Sequence, residues 1–567
     1  MKVLILSTAF SGMAQRVLTE LTALNHTVEQ HYDLDPEILI EQTERFQPDV
    51  IVCPFLTQRI PEQVWSQFPC LIVHPGIEGD KGPSSLDWAI TEGEEEWGVT
   101  LLQANGNFDD GDIWGTRRFP MRPTSKTSIY KREVTSAAME LMRQAIADIE
   151  KNEVCPRKLD YNSSMVRGRE RPLMKQDNRV IHWESMSTTQ VLKRLRAADS
   201  RPGVRCLING YEVFMYGGVA EPKLKGTPGD ILAIYKGAFC CATADGAVWI
   251  RQLKCKNCDG LAPIKLPASM VLEKICDASQ LEAMHTVTDP SAVEEIRIVR
   301  KQDTAFVHFD FYNGAFNTRQ CLELKNQLAA LKQTDVKKIV LMGGEDFFSN
   351  GIHLNCIEAA EDPAMESWHN INAIDDLVLE IINTPNQITV AALRNNAGAG
   401  GAIMALACDE VIIRQGVVLN PHYKTMGLFG SEYWTYLLPK RVGKEESVRI
   451  VNECQPMSAD EAVHIGMADL VFEEDWDTYH RHLEEYCLNI DKVIDTQEYL
   501  DKKVAQLKSQ EQKKPLVEYR NAELTHMKKT FYDPSSEYHA KRRAFVYKEK
   551  AKKESVKPLA NVFAQGA

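Results

Sequence analysis

Three stretches of this sequence carry side chains whose types and spacing could do chemistry. The first is His74-Pro75-Gly76, which follows the apolar run Leu71-Ile72-Val73, with Asp109 further on in Phe108-Asp109-Asp110-Gly111-Asp112-Ile113. A histidine at the C-terminal end of a parallel strand sits where such sheets bind ligands. A carboxylate on a neighbouring loop can orient that imidazole and raise its basicity, so the pair can handle protons near neutral pH. The same residues would also suit a turn whose histidine bonds backbone. The second stretch is Asn396-Ala397-Gly398-Ala399-Gly400-Gly401-Ala402, which opens an apolar helix ending at Cys408-Asp409. Glycines at a helix start present free N–H donors and allow close backbone approach. With the loop Phe347-Phe348-Ser349-Asn350-Gly351-Ile352, two such donors on separate loops could polarise a thioester carbonyl. A glycine cluster there also serves packing, and it lacks the setting of a dinucleotide fingerprint. The third stretch places Tyr423 near Gly430-Ser431-Glu432-Tyr433-Trp434. Tyr423 is a donor with little structural excuse, and Glu432 reads either as an acid–base group or as a solvated helix-end carboxylate.

Scaffolds must hold these groups. Val3-Leu4-Ile5-Leu6, Val50-Ile51-Val52 and Leu71-Ile72-Val73 read as buried strands, with Val17, Leu18, Leu21 and Leu24 at helical spacing after the first. Buried strands separated by helices imply a parallel, Rossmann-like sheet. An amphipathic helix runs from about Ser128 to Glu150, with Val134, Ala138, Leu141, Ala145 and Ile149 on one face. After Thr188–Ala198, a short helix, come alternating segments around Tyr211–Tyr216, Ile231–Tyr235 and Val248–Leu253, split by Gly and Pro turns. They predict a small β-barrel. His285–Glu295 reads as a linker. A second α/β pattern follows, with strands at Ile296–Val299, Phe306–Phe309, Ile339–Met342, Thr389–Leu393 and Val411–Ile413. From about Asp477 the chain reads as helical and charged. The expected class is α/β multidomain.

Composition narrows the function less than the motifs do. The chain has 567 residues, 44% of them hydrophobic, and 79 acidic against 66 basic side chains give a net charge of −13. At about 100–200 residues per domain, three or four domains are expected. The acidic balance argues against broad nucleic-acid binding, and no apolar run reaches the roughly 18 residues of a membrane span. Fourteen mostly scattered cysteines with no export signal point to reduced thiols in the cytoplasm. Cys255-Lys256-Asn257-Cys258 lacks the second pair that a structural zinc site needs, so these read as surface-loop cysteines and no metal is expected. The stretch Lys541–Lys557 carries eight Lys and Arg against two Glu. It reads as a solvated helix face or as a contact for an anion such as a nucleotide phosphate.

The first stretch belongs to an ordered series. Lys81-Gly82-Pro83, Gly98-Val99-Thr100, Phe108 to Ile113, Arg171-Pro172, Ile181-His182-Trp183, Leu195-Arg196-Ala197 and Arg201-Pro202-Gly203 follow in turn. Over about residues 1–285 this series resembles the 10-formyltetrahydrofolate-dependent formyltransferases, and methionyl-tRNA formyltransferase most of all. The resemblance implies a Rossmann-like domain over residues 1–160 and a small β-barrel with linker over 161–290. It implies 10-formyltetrahydrofolate as formyl donor, His74 and Asp109 as catalytic residues, and Ala104, Asn105, Phe108 and Asp110 on the loop facing the pterin. The family's catalytic Asn falls on Ile72, which cannot hold a formyl oxygen. Protonated His74, another side chain or a backbone N–H must then do so. The family's Arg-Gly becomes Lys81-Gly82, which keeps the charge but not the planar fork.

The second and third stretches, with Asn313-Gly314-Ala315-Phe316-Asn317, resemble the crotonase (enoyl-CoA hydratase/isomerase) family over about residues 292–480. This implies a crotonase-like domain over 291–480, followed by a helical C-terminal extension over 481–567. The N–H groups of Ile352 and Gly400 would form an oxyanion hole for an acyl-CoA carbonyl. Asn317, Asn350, Gly351 and, in the basic tail, Arg543 would contact coenzyme A. The hydratase's two glutamates fall on Ile403 and His422, and the Asp after its first hole residue becomes His353. Water addition needs paired carboxylates, so the fold is expected to bind acyl-CoA without hydrating it. Tyr423 and Glu432 remain as the available acid–base groups.

Both departures on one chain, with the segments Leu419–Lys424 and Arg542–Lys548, resemble the HoxX-type hydrogenase maturation proteins along the whole length. That resemblance implies synthesis of carbon monoxide for the iron of [NiFe]-hydrogenase. A formyl group would pass from 10-formyltetrahydrofolate to CoA, and formyl-CoA would then lose CO. The implied recipient is the hydrogenase maturation machinery, with no nucleic-acid or membrane partner. Two rivals stay open: separate formyltransferase and acyl-CoA isomerase activities, or a non-catalytic folate- and CoA-binding scaffold. Loss of the Asn and of both hydratase glutamates weighs against the first, and retention of His74 and Asp109 against the second.

Overall fold

The computed structural model describes residues 1–549 except 33, 155, 164–165, 259 and 283–291. Residues 285–291 of the expected linker and 550–557 of the basic stretch lie outside the described residues. The chain divides into two compact units, Met1–Val293 and Glu294–Ala567.

The first unit opens with strands β1 (Lys2–Ser7), β2 (Thr27–His31), β3 (Val50–Phe55), β4 (Cys70–His74), β5 (Glu96–Gln103) and β6 (Ile113–Pro120), in the sheet order β2-β1-β3-β4-β5-β6. The pairs β1–β2, β1–β3 and β3–β4 are parallel, as expected. The far edge departs from a wholly parallel sheet, since β4–β5 and β5–β6 are antiparallel. The intervening helix Ser85–Glu92 has only eight residues. It rises about 12 Å, and the chain re-enters the sheet near the end where it left, with His74 opposite Thr100. Side chains alternate between two cores. Val3, Ile5, Leu71 and Val73 bury on one face, and Leu4, Leu6, Ile51 and Cys53 on the other. The long helix forms as Lys126–Ile129, a π turn at Tyr130–Val134, and Thr135–Glu150. Its Ala138, Leu141 and Ala145 join the first of these cores.

The helix Thr188–Ala198 starts on a capping box between Ser187 and Gln190. It precedes an antiparallel sheet in the order Val204–Ile208, Tyr211–Glu221, Ala247–Cys255, Ala238–Ala242, Ile231–Tyr235. Among the described residues the two outer strands do not pair with each other, so the expected barrel stays open along that seam. Cys255 and Cys258 are joined by a disulfide, and both are buried. This corrects both the surface-loop and the reduced-thiol expectations for that pair. Cys255 ends a strand opposite Val213, and the turn after it folds Cys258 back onto the sheet.

The second unit centres on the sheet Ile296–Lys301, Thr304–Phe309, Lys338–Gly343, Ile388–Leu393, Glu410–Arg414, Leu470–Phe472, in that order. Its first pair is antiparallel and the rest are parallel. The C-terminal helices Leu516–Tyr532 and Glu537–Tyr547 are less solvated than their charge suggests. Their Leu524, Met527, Phe531 and Tyr538 bury with Ile371 and Ile374 of the helix Pro363–Ile382 in one core. Among the described residues, no helix is long and apolar enough to cross a membrane, and no cluster of His, Cys, Asp and Glu could hold a metal ion.

Candidate active sites

His74 ends β4 and is buried, at 4% exposure. Its Nδ1 lies 3.3 Å from Asp109 Oδ1, and its Nε2 lies 3.0 Å from Asp80 Oδ2. The imidazole is therefore clasped between two carboxylates. Burial alone would lower its pKa, but hydrogen bonds and charge from Asp109 and Asp80 outweigh that and push it up to about 9. An imidazolium donating from both nitrogens is the neutral-pH state. Asp109 sits at a left-handed φ of 52° and also accepts the Gly82 N–H at 3.1 Å. Burial pulls its carboxyl up, but the His74 bond and charge, the Gly82 amide and Lys81 bring it below its usual value.

Asp80 was not singled out from sequence. Its second oxygen accepts from the buried Arg171 guanidinium at 2.8 Å. The available signal was an acid next to Lys81-Gly82 together with the arginine of Arg171-Pro172. Gly76 is required sterically, because a Cβ there would lie 2.3 Å from His74 Nε2 and 2.6 Å from Asp80 Oδ2. On the neighbouring loop Ala104 is buried, and its N–H bonds the Cys70 carbonyl at 2.9 Å. Asn105 donates to the Asp110 carbonyl at 3.0 Å, Asp110 pairs with Lys81, and the Arg59 guanidinium covers the exposed Phe108 ring at 4.6 Å. Ile72 packs in the apolar core beside Ala104 and offers no polar atom.

In the second unit the two loops with free amides meet. A Cβ on Gly351, which lies at φ 74°, would sit 3.3 Å from the Gly400 nitrogen. Among the described residues neither the Ile352 nor the Gly400 N–H donates a hydrogen bond. Two convergent, unused donors suit a carbonyl oxygen that gains charge. Glu432 lies against them: a Cβ on Gly400 would fall 2.0 Å from its Oε1. Its Oε2 accepts from the Tyr423 hydroxyl at 2.7 Å and the Ser431 N–H at 3.2 Å. Glu432 is 1% exposed, so the solvated-carboxylate alternative is excluded. Burial, reinforced by the Asp375 charge, pushes its pKa up to about 8. Burial and then Glu432 raise Tyr423 well above the ordinary phenol value.

The other expected residues have structural bonds. Asn317 caps the helix Thr318–Leu331 by accepting the Gln320 N–H, and Asn350 donates to the Asn313 carbonyl at 2.7 Å. Arg543 is exposed, 3.8 Å from Glu358 and stacked on Tyr547. Its neighbour Arg542 is the buried one and binds Glu358 at 2.8 Å. The former hydratase positions are inert. Ile403 is fully buried, His422 turns its Nδ1 to the Asn420 carbonyl at 2.6 Å, and His353 accepts the Cys356 N–H.

Comparisons with known proteins match both parts of the chain. The formyl transferase family matches residues 12–146, the formyl transferase C-terminal domain residues 173–264, and the enoyl-CoA hydratase/isomerase family residues 308–555. The hydrogenase maturation factor HoxX of Bradyrhizobium diazoefficiens is 39% identical over 97% of this chain and 95% of its own length. The chain belongs to the HoxX hydrogenase maturation factor family. HypX from Aquifex aeolicus, solved in complex with tetrahydrofolic acid, superposes with a TM-score of 0.91 at 41% identity over 97% of each chain. The methionyl-tRNA formyltransferase of Syntrophus aciditrophicus is 25% identical over 39% of this chain and 71% of its own length. The HoxX fold thus joins a formyltransferase part to a crotonase-like part, and the crotonase match runs on into the C-terminal helices.

Proposed function

We propose that this HoxX-family chain makes carbon monoxide for [NiFe]-hydrogenase assembly by moving a formyl group from 10-formyltetrahydrofolate to CoA and then decarbonylating formyl-CoA. The observation that carries the reading is the buried Glu432 and Tyr423 pair set against two unused N–H groups, while the positions of the two hydratase glutamates hold Ile403 and His422. The paired donors fit a thioester carbonyl, and the A. aeolicus relative's complex with tetrahydrofolic acid supports a folate pocket in the first unit. Folate supplies the formyl group, and the CoA thiol carries it from N10 and returns as thiol when CO departs.

At the first site His74, held by Asp109 and Asp80, delivers a proton to the departing N10 and receives the one released by the attacking thiol. Asp109 and Asp80 stabilise the imidazolium and fix the ring. With Ile72 apolar, a His74 N–H released from one carboxylate is a donor available to a formyl oxygen. At the second site Ile352 and Gly400 hold the formyl oxygen through their amides. Decarbonylation moves one proton from carbon to sulfur: Glu432, starting in its acid form, gives its proton to the departing sulfur, and the carboxylate it leaves takes the formyl proton, so the group ends as it began. Tyr423 steadies its charged form by donating to Oε2. The reaction needs no water. Compartment and recipient follow from this role: cytoplasmic, with CO passing to the hydrogenase maturation machinery.

Incubating the full chain with 10-formyltetrahydrofolate and CoA, and trapping gas with deoxyhaemoglobin, tests the proposal. CO above a protein-free control supports it, and none overturns it. Formylation of tRNA or an amino sugar instead would support the separate-activities reading.

A further inference from the structure

The Glu432 carboxyl is held by more than its own hydrogen bonds. Glu432 and Tyr433 both have left-handed φ, 61° and 60°. Such a conformation is strained for a side-chain-bearing residue and persists only where its surroundings over-determine it. Two buried carboxyls on different helices supply that constraint. Asp375, on Pro363–Ile382, accepts the Glu432 N–H and the Ser431 hydroxyl, each at 2.8 Å. Glu523, on Leu516–Tyr532, accepts the Tyr433 N–H at 3.0 Å, the Thr435 N–H at 2.8 Å and the Thr435 hydroxyl. Both are fully buried. The nearest guanidinium, Arg520, stands 4.0 Å from Asp375 and makes its close pair with Asp376 at 2.6 Å. A buried carboxyl that spends its acceptors on one turn's amides instead of on a cation is costly unless the turn matters.

We propose that Asp375 and Glu523 are positioning residues that clamp the Ser431–Thr435 turn, so that the Glu432 carboxyl is fixed against Gly400 at the oxyanion hole. The proposal rests on the reading of Glu432 as the acid–base group of the second site. It also gives the C-terminal helix Leu516–Tyr532 a direct part in that site. The groups facing Glu432 are Tyr423, Asp375, Glu523 and Cys321, with Arg520 behind Asp375. Carboxyls this close cannot all ionise. Burial raises Asp375 to about 7, and its charge helps keep Glu432 in the acid form.

The test uses the full chain with Asp375→Asn, Glu523→Gln and Glu523→Ala. Infrared difference spectra follow the protonated carboxyl C=O band against pH, with Glu432→Gln identifying the Glu432 component. Asp375→Asn keeps an acceptor for the turn but removes the charge, so the Glu432 midpoint should fall by about one unit or more. CO release should show a kcat about tenfold or more lower in Glu523→Ala, with KM for CoA unchanged and most activity recovered in Glu523→Gln. An unchanged Glu432 midpoint in Asp375→Asn, or a full kcat in Glu523→Ala, overturns the clamp. If Glu523→Ala fails to fold, the Asp375→Asn titration still decides. If the wild-type chain releases no CO, the function reading falls while the infrared titration still tests the clamp.

Discussion

Replacing Asp80 by asparagine removes one of the two carboxylates that clasp His74 while keeping its shape. In the folded chain His74 moves from 6.5 to about 9, a difference of about 2.5 units, or about 3.4 kcal/mol at 1.36 kcal/mol per unit. Burial pulls the other way, so the two carboxylates together supply more than this net amount. Asp80→Asn should therefore lower the His74 titration by more than about one unit, to about 8 or below, and the freed Arg171 charge should push it further. A histidine whose folded pKa is raised contributes stability that is complete below its unfolded value, 6.5, and is lost as pH rises through about 9. In the variant that loss should be over by about pH 8. Aromatic NMR of ¹³C-histidine-labelled protein, with His74→Gln to assign the signal, reads the titration. Urea unfolding below pH 6 and above pH 9 reads the linked stability. A His74 signal that titrates within about 0.3 units of wild type would refute the claim that Asp80 holds the imidazolium.

Other variants test single contacts. Gly400→Ala would set a methyl 2.0 Å from Glu432 Oε1; CO release should fall at least about 100-fold while formyl-CoA still forms, and equal loss of both would contradict the division of labour. Tyr423→Phe removes the 2.7 Å bond to Glu432; CO output should drop about tenfold and formyl-CoA should accumulate, as read by thioester chromatography, whereas unchanged output removes Tyr423 from the mechanism. His74→Ala should abolish CO from 10-formyltetrahydrofolate yet leave CO release from added formyl-CoA intact.

Most of the scaffold was legible because it is patterned. Buried apolar runs announced β1, β3 and β4, and the helix Thr188–Ala198 appeared at its expected bounds because Ser187 and Gln190 cap it. The antiparallel far edge of the first sheet was not, since strand direction depends on how far a connection travels and no local residue records it. The same distinction runs through the sites. His74 with Asp109, and Glu432 with Tyr423, stood in motifs, and the fold brings each pair together. Asp375 and Glu523 act across long sequence separations, 57 and 90 residues, and nothing in their immediate neighbours marks them, whereas Asp80 lies six residues from His74 beside Lys81-Gly82. Asn317 and Asn350 look like ligand residues by motif, yet their side chains serve a helix cap and a loop brace. Of the two adjacent arginines, helix phase buries Arg542 against Glu358 and turns Arg543 outward, a difference that composition of the basic stretch does not record.

On the proposed reading, the carboxyl of the second site stands at Glu432 and not at the crotonase positions, and that placement accounts for a pocket that does not add water. The position where the crotonase pattern carries its first glutamate is Ile403, which has 0% exposure inside an apolar cluster with Ala402, Met404 and Leu406. That cluster is apolar, whereas Glu432 lies against Gly400 from a turn whose amides bond Asp375 and Glu523. Ile403→Glu should therefore not restore hydration. It buries an unpartnered acid at a cost of several kcal/mol. The expected result is a lower Tm, no enoyl-CoA hydration by absorbance at the enoyl thioester band, and reduced CO release. A folded Ile403→Glu chain that hydrates crotonyl-CoA would show that the pocket still accepts an ordered water beside the hole. The placement of the Glu432 carboxyl would then not be what commits the site to elimination of CO.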